Sequence, residues 1–163
     1  MRRPLVAGNW KMHRTPSEAS RLAGELVQAL NGQANRGPVE VVICPAFPSL
    51  PAAAARLEGS GIVLGAQDVH WEAEGAFTGE VSPGMLVELG CRYVIVGHSE
   101  RRTLLGESDE QVARKVRAAL GAGLRPIVCV GESASERERG ETEGKIGFQV
   151  LAATALVSQE QLP

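Results

Sequence analysis

The sequence has few cysteines and lacks a long apolar run. Its three cysteines, Cys44, Cys91 and Cys129, lie far apart and form no CxxC pair. This spacing argues against a disulfide framework or a zinc knuckle and indicates a reducing compartment. The apolar run near the N-terminus covers only residues 5–7, which is too short for a signal-peptide core or a membrane span. We therefore expect a cytoplasmic protein with no membrane partner.

The sequence also lacks an excess of charge of one sign. The formal net charge is −2, which provides no general attraction to nucleic acid or anionic lipid. No apolar run is followed by the glycine-rich fingerprint of a dinucleotide-binding or P-loop fold. With 163 residues, 44% of them apolar and 22% charged, the composition is that of one globular domain over residues 1–163.

Short apolar runs alternate with helical patterns along the chain. Runs without polar alternation are typical of parallel strands covered on both faces. Capping boxes at Thr15/Glu18 and Ser108/Gln111 mark two helix starts. The predicted strands are Leu5–Ala7, Val41–Cys44, Ile62–Leu64, Tyr93–Val96 and Ile127–Val130. The predicted helices cover residues 16–30, 49–59, a short segment from 82, residues 109–120 and about 143–158.

Five successive strand–helix units indicate parallel strands with right-handed crossovers. Two architectures fit this order: an open doubly wound sheet and a (β/α)₈ barrel. We expect the first helix to end at Asn31-Gly32 and the last to bury Ile146, Val150, Ala153 and Val157. The charged stretch 135–145 is mixed in sign and is predicted to be a solvated loop and helix start.

Polar residues follow several of the predicted strands. Asn9 and Lys11 follow the first strand, Gln67 the third and His98 the fourth. Ligands of parallel α/β folds bind at the carboxyl ends of the strands, so we expect Asn9, Lys11 and His98 to share one rim. Each residue taken alone also has an ordinary reading, as a surface lysine or a structural histidine. Their convergence on one rim favours a functional site.

The chemistry of these residues points to an anionic carbonyl substrate. The ammonium of Lys11 would attract an anion, and a phosphate fits best. His98 precedes a helix, whose positive end disfavours the imidazolium, so the ring is expected to stay neutral. A neutral imidazole can donate a hydrogen bond to a carbonyl oxygen and stabilise an enediolate-like oxyanion.

Neighbouring polar residues have simpler interpretations. Arg101 and Arg102 are expected to cap and solvate the start of a helix. Glu132 is interpreted as a loop partner, and Cys129 as a packing residue. Glu100 fits the same helix-start reading as the two arginines.

Five segments together carry a resemblance to a known family. They are AGNWKMH (7–13), GAQDV (65–69), EGAFTGEVS (74–82), CRYVIVGHSERR (91–102) and PIVCVGES (126–133). In this order and at this spacing the sequence resembles the triosephosphate isomerase family along its whole length. The resemblance implies a TIM barrel and no metal or cofactor. It also implies interconversion of dihydroxyacetone phosphate and glyceraldehyde 3-phosphate, in glycolysis and gluconeogenesis, by proton transfer through an enediolate.

The resemblance also implies residue roles. Lys11 would face the oxygens and phosphate of the triose, Asn9 would line the same pocket, and His98 would be the electrophile. Glu100 resembles the family's acidic partner near the lysine and would support the site. The loop from Gln67 to Glu80 would reach into a neighbouring subunit, with Thr78 near that neighbour's active site. The implied assembly is a homodimer with Gln67, Thr78 and Glu80 at the interface.

Judged by the resemblance, the sequence stops before the sixth strand of the barrel. A complete barrel of this kind has about 250 residues. The catalytic glutamate, the mobile lid and the phosphate-binding loops of the family would all come later. We therefore expect only about the first five β/α units, with exposed edges at the first and fifth strands. We also expect the isolated chain to be inactive.

Two alternatives remain at this stage. The chain could be a non-catalytic half-barrel that serves as a binding or assembly module. It could also be part of another phosphosugar-binding barrel. The second alternative gives no reason for AGNWKMH and GHSERR to occur together.

Overall fold

The structure is a computed structural model that describes residues 3–30 and 39–161. It contains one five-stranded sheet with the strand order β1-β2-β3-β4-β5, in which β1 to β4 pair in parallel. The strands are β1 (Leu5–Asn9), β2 (Glu40–Cys44), β3 (Val63–Ala66), β4 (Tyr93–Val96) and β5 (Arg125–Val128). The helices are α1 (Pro16–Leu30), α2 (Leu50–Leu57), α3 (Pro83–Glu88), α4 (Ser99–Leu105), α5 (Asp109–Gly121), α6 (Ala134–Glu138) and α7 (Thr142–Thr154).

The described part of the chain forms two compact units. The first unit comprises Met1–Asp68 and Gly84–Val94, and the second comprises Val69–Pro83 and Ile95–Pro163. That residues 1–163 behave as a single domain stays a prediction. Within the described residues, no helix is long and apolar enough to cross a membrane.

The first unit is built around β2 and β3. Helix α1 begins where predicted, because the Thr15 backbone N–H and hydroxyl both donate to the Glu18 carboxylate, at 2.9 and 3.0 Å. Cys44 in β2 is fully buried, and a Cβ at Gly65 in β3 would lie only 2.7 Å from its Sγ. Glycine at position 65 therefore allows the two strands and their side chains to pack closely.

The second unit is built around the end of β4 and helix α5. The predicted capping box is present, since the Gln111 backbone N–H donates to Ser108 Oγ at 3.2 Å and the Ser108 N–H donates to Gln111 Oε1 at 2.9 Å. Helix α5 then buries an apolar stripe. Its members are Val112, Ala113, Val116 and Ala119. The segment after β5 joins β4 through a bond from the Cys129 N–H to the Val96 carbonyl at 2.9 Å.

Two predicted strands are less buried than their sequences suggest. Leu5 and Val6 of β1 are 38% and 60% exposed, and β5 has no fully buried residue. Coverage on both faces, which their apolar runs suggested, is therefore wrong for β1 and β5, whereas the exposed edges expected at the first and fifth strands are found. The strand order explains the difference, because within residues 3–30 and 39–161 each of these two strands has a neighbour on one side only.

The last helix also differs from its predicted apolar face. Ala153 is buried as expected, but Val150 is 45% exposed and Gln149 is buried instead. Gln149 faces inward because its Oε1 accepts the Gly131 backbone N–H at 2.8 Å. The predicted end of the first helix, at residues 31–32, lies outside the described residues.

Candidate functional site

The loop after β1 holds Lys11 in an unusual backbone conformation. Its φ is 52°, in the left-handed region that non-glycine residues rarely adopt. Asn9 stabilises this turn, because its Oδ1 accepts the Lys11 backbone N–H at 2.9 Å. Strain of about 1–3 kcal/mol is typical of such a residue and persists only where neighbours fix the conformation. The lysine side chain is exposed.

Gln67, which follows β3, fixes the same loop from the other side. Its Nε2 donates to the Lys11 carbonyl at 2.9 Å and to the Cys44 carbonyl at 2.8 Å. One amide thus links the ends of three neighbouring strands. The sequence placed Gln67 on the predicted rim, and the resemblance placed it at a dimer interface. Neither gave its bond to the Lys11 backbone.

His98 lies in the second unit, directly after β4, and caps helix α4. Its Nδ1 accepts the Glu100 backbone N–H at 3.2 Å. An imidazole that accepts at Nδ1 carries its proton at Nε2 when neutral, so Nε2–H remains able to donate. The ring is 21% exposed, and the Glu100 carboxylate, 46% exposed, lies 3.5 Å from Nδ1.

Arg102 does not have the role that the sequence suggested. It was expected to cap and solvate the helix start, but its side chain is only 16% exposed. Nε donates to the Gly97 carbonyl at 2.7 Å, and Nη1 donates to Asp109 Oδ1 at 2.6 Å. The expectation was wrong because the left-handed turn at Gly97, with φ of 71°, leaves space for the guanidinium beneath the strand end.

Arg101 belongs to a buried ion cluster that the sequence analysis missed. Glu107 and Lys115 are each 4% exposed and form an ion pair, and Arg101 Nε lies 3.4 Å from Glu107 Oε1. Lys115 falls one residue before Val116 on the buried side of α5. The position of Lys115 within an apolar stripe was the sequence signal that it pairs with a buried carboxylate.

Glu132 follows β5, and its carboxylate accepts hydrogen bonds from two side chains. Its Oε1 accepts Arg137 Nε at 2.7 Å and the Thr142 hydroxyl at 3.3 Å. A hydrogen bond from its own backbone, followed by the bond from Arg137, lowers the pKa of Glu132. A carboxylate with a lowered pKa is a weaker proton acceptor, which agrees with the interpretation of Glu132 as a loop partner.

The three cysteines are free thiols. Burial raises the pKa of Cys44 and of Cys91 to about 12, and a weaker effect of the same kind raises the pKa of Cys129. Thiolate chemistry at neutral pH is therefore disfavoured at all three positions.

Cavities among the described residues have other residues in their walls. One of about 730 Å³ lies at the amino ends of strands in the first unit and includes Arg3, Glu40 and Arg92. Another, of about 500 Å³ in the second unit, includes Trp71 and Arg117. Over residues 3–30 and 39–161, no group of three His, Cys, Asp or Glu side chains is arranged to hold a metal ion.

Strands in chain order, separated by helices, define a segment of a (β/α) barrel. The sequence profile of the triosephosphate isomerase family matches residues 4–163. The chain belongs to the triosephosphate isomerase family. The resemblance carried by the five sequence segments is thus confirmed.

Individual relatives agree with this assignment. The chain is 52% identical to the triosephosphate isomerase of Carboxydothermus hydrogenoformans over 99% of its own length and 63% of that protein. It is 54% identical to that of Chloroflexus aurantiacus over 99% of its length and 64% of that protein. The chain therefore spans somewhat less than two thirds of these curated relatives.

A solved structure confirms the fold. The crystal structure of triosephosphate isomerase from Bartonella henselae superposes with a TM-score of 0.84 at 40% identity. The superposition covers 93% of this chain and 61% of that one. The prediction of a partial (β/α)₈ TIM barrel is confirmed, and the open doubly wound sheet is excluded.

Proposed function

We propose that this chain supplies the lysine and the histidine of a triosephosphate isomerase active site. The reaction would interconvert dihydroxyacetone phosphate and glyceraldehyde 3-phosphate, a step of glycolysis and gluconeogenesis. One observation carries the proposal. In a chain of this family, His98 follows β4 at its carboxyl end, and its Nδ1 already accepts the Glu100 backbone N–H of helix α4. Nε2–H is the donor left for a substrate.

Each residue has a definite part in the proposed reaction. The ammonium of Lys11 attracts the phosphate and the oxygens of the triose. Asn9 lines the pocket and keeps the Lys11 turn closed through its Oδ1. His98 Nε2–H donates to the substrate carbonyl, which stabilises the enediolate formed when a carbon-bound proton leaves. A neutral histidine in this role is a known feature of the family.

Glu100 is proposed to support the site rather than to transfer the proton. Its backbone N–H binds His98 Nδ1, and its carboxylate lies beside the same atom. Glu132 is held by Arg137 and Thr142. Neither carboxylate is therefore placed as a free general base.

We propose accordingly that residues 1–163 have no turnover by themselves. A positioned general base contributes about 10²–10⁴-fold to such a reaction, or roughly 3–5 kcal/mol at about 1.36 kcal/mol per tenfold. The purified chain should show no isomerisation above background in an assay coupled to glycerol 3-phosphate dehydrogenase. Turnover near that of a full-length relative would contradict this proposal.

The homodimer is likewise a proposal. Residues 72–80 are exposed, and Phe77 shows 43% of its surface to solvent. Thr78 and Glu80 lie in this exposed stretch and are proposed to contact a second subunit. Gln67, in contrast, uses its amide within its own chain. A cytoplasmic location is proposed from the three free thiols.

A chimera provides the experiment. Residues 1–163 would be fused to the part of the Carboxydothermus hydrogenoformans isomerase that lies beyond the matched region. We expect the chimera to interconvert the two triose phosphates, and Lys11→Met to raise KM and lower kcat/KM by at least about a hundredfold. The matched control is Lys145→Met, which removes a lysine of helix α7 that pairs with Glu136 of helix α6.

The outcomes distinguish the two classes of function. A folded chimera without turnover would favour the non-catalytic binding or assembly module. A folded, active chimera in which Lys11→Met behaves like Lys145→Met would show that Lys11 has no role in the site.

A further inference from the structure

The peptide between Gly97 and His98 is held by a side chain from the following helix. The Gly97 carbonyl accepts Arg102 Nε at 2.7 Å, inside the second unit. This is a short, charge-assisted hydrogen bond to the residue directly before the candidate electrophile. The orientation of that peptide plane sets where the Cα–Cβ bond of His98 points.

Arg102 occupies space that only a glycine at position 97 leaves open. A Cβ on Gly97 would lie 2.9 Å from Arg102 Nη2 and 3.0 Å from Val112 Cγ2. The guanidinium is therefore packed directly against the Gly97 backbone. The left-handed φ of 71° and the close approach of Arg102 both require glycine here.

A second bond fixes the guanidinium itself. Arg102 Nη1 donates to Asp109 Oδ1 at 2.6 Å, at the first turn of α5. Nη2 is buried and has no hydrogen-bond partner within the described part of the chain. Burying an unsatisfied donor costs free energy, so this placement is not explained by stability alone.

The imidazole of His98 is thereby constrained from both sides. On one side, Arg102 fixes the preceding peptide. On the other, Nδ1 accepts the Glu100 N–H at 3.2 Å. We propose that Arg102 is a positioning residue that fixes the Gly97–His98 peptide and so keeps Nε2–H of His98 in one direction. Its effect on catalysis rests on the function proposed above, whereas its effect on His98 does not.

Lysine should not replace arginine in this role. A guanidinium offers several N–H donors in one rigid plane, and Arg102 uses two of them on Gly97 and Asp109. A lysine has a single nitrogen on a flexible stem and cannot maintain both bonds with fixed geometry. Arg102→Lys therefore keeps the charge and removes the fixed orientation.

The test measures His98 directly. The parent chain 1–163 and its Arg102→Lys variant would be compared in two measurements. One is the hydrogen exchange of the Glu100 amide, whose N–H binds His98 Nδ1, and the other is the ¹⁵N signals of His98. In Arg102→Lys we expect Glu100 exchange to be at least about tenfold faster, because the cap opens more often. The His98 signals should also lose the pattern of the fixed Nε2–H tautomer. The Glu136 amide, which caps a different helix through Ser133, is the internal reference and should be unchanged.

Control variants separate positioning from general stability. Arg139→Lys removes an equivalent donor from an exposed pair with Glu141 and should leave His98 and Glu100 as in the parent. If Arg102→Lys does not fold, Asp109→Asn takes its place. That variant weakens the hold on Arg102 and should give a smaller change in the same direction.

A folded Arg102→Lys, or in its place Asp109→Asn, with parental His98 signals and Glu100 exchange would overturn the proposal. In the chimera, Arg102→Lys should lower kcat by about tenfold to a hundredfold while KM changes less than about twofold. Failure of the function proposed above would appear as loss of the kinetic effect, with the change at His98 still present.

Discussion

Replacing Gly97 by alanine separates backbone strain from crowding at the strand end. Gly97 has φ of 71°, and its added Cβ would meet Arg102 Nη2 at 2.9 Å and Val112 Cγ2 at 3.0 Å. The left-handed conformation costs an alanine roughly 1–2 kcal/mol. Overpacking in a buried site adds about 1–3 kcal/mol. We therefore expect Gly97→Ala to lower the free energy of unfolding by roughly 2–5 kcal/mol.

Gly106 offers a matched control within the same unit. Its φ is 70°, nearly that of Gly97, but a Cβ there would meet nothing within 4 Å. Gly106→Ala should therefore show only the backbone cost of roughly 1–2 kcal/mol. Urea unfolding of both variants gives the two free energies from midpoint and slope. A Gly97→Ala variant no less stable than Gly106→Ala would refute the close packing of Arg102 and Val112 against Gly97.

Three further predictions concern buried and titrating groups. Lys115→Met should lower stability by up to about 3–5 kcal/mol because the buried Glu107 loses its close ion pair and keeps Arg101 at 3.4 Å, and adding Glu107→Gln should restore part of the loss in urea unfolding. Burial raises the pKa values of Cys44 and Cys91 to about 12, whereas a thiol in the unfolded chain has a pKa of about 8.5. The free energy of unfolding should therefore decline as pH rises from about 8.5 toward 12, and thermal unfolding at a series of pH values measures this. Hydrogen bonds from the Ser133 backbone N–H and then from its hydroxyl lower the pKa of Glu136 to about 2, so its contribution should be present above about pH 4.3 and lost toward pH 2. Ser133→Ala removes only the hydroxyl bond and should reduce this contribution without abolishing it.

Each of these has an outcome that would contradict it. Lys115→Met with unchanged stability would show that Arg101 alone compensates the buried Glu107 charge. A flat stability profile from pH 8 to 11 would mean that the two thiols are not buried in solution. Identical acid profiles for the parent and Ser133→Ala would exclude the Ser133 hydroxyl as a cause of the lowered Glu136 pKa.

Local signals in the sequence predict much of this fold. The Ser108/Gln111 and Thr15/Glu18 pairs mark real helix starts, because capping depends on residues three apart. The strand Tyr93–Val96 is found with the predicted bounds, since a continuous β-branched run ending at glycine is unambiguous. Lys11 and His98 were predicted as site residues because they follow such strands closely, and their roles stay predictions.

Other features depend on contacts that no local pattern encodes. The exposure of β1 follows from having one neighbouring strand, which is a property of the whole sheet. Gln149 is buried only because Gly131 needs an acceptor. The sequence predicts that Arg102 is a solvated charge. Its hydrogen bond to the Gly97 carbonyl depends on the left-handed turn at Gly97, which no local pattern around Arg102 indicates.

The most direct test of the proposed active site is the turnover of the chimera with His98 replaced. His98→Gln keeps a donor of similar size but changes its position and chemistry, and His13→Gln is the matched control at an exposed histidine. We predict that kcat falls by at least about a hundredfold in His98→Gln and stays near the parental value in His13→Gln. Parental turnover in a folded His98→Gln chimera would contradict the assignment of His98 as the electrophile.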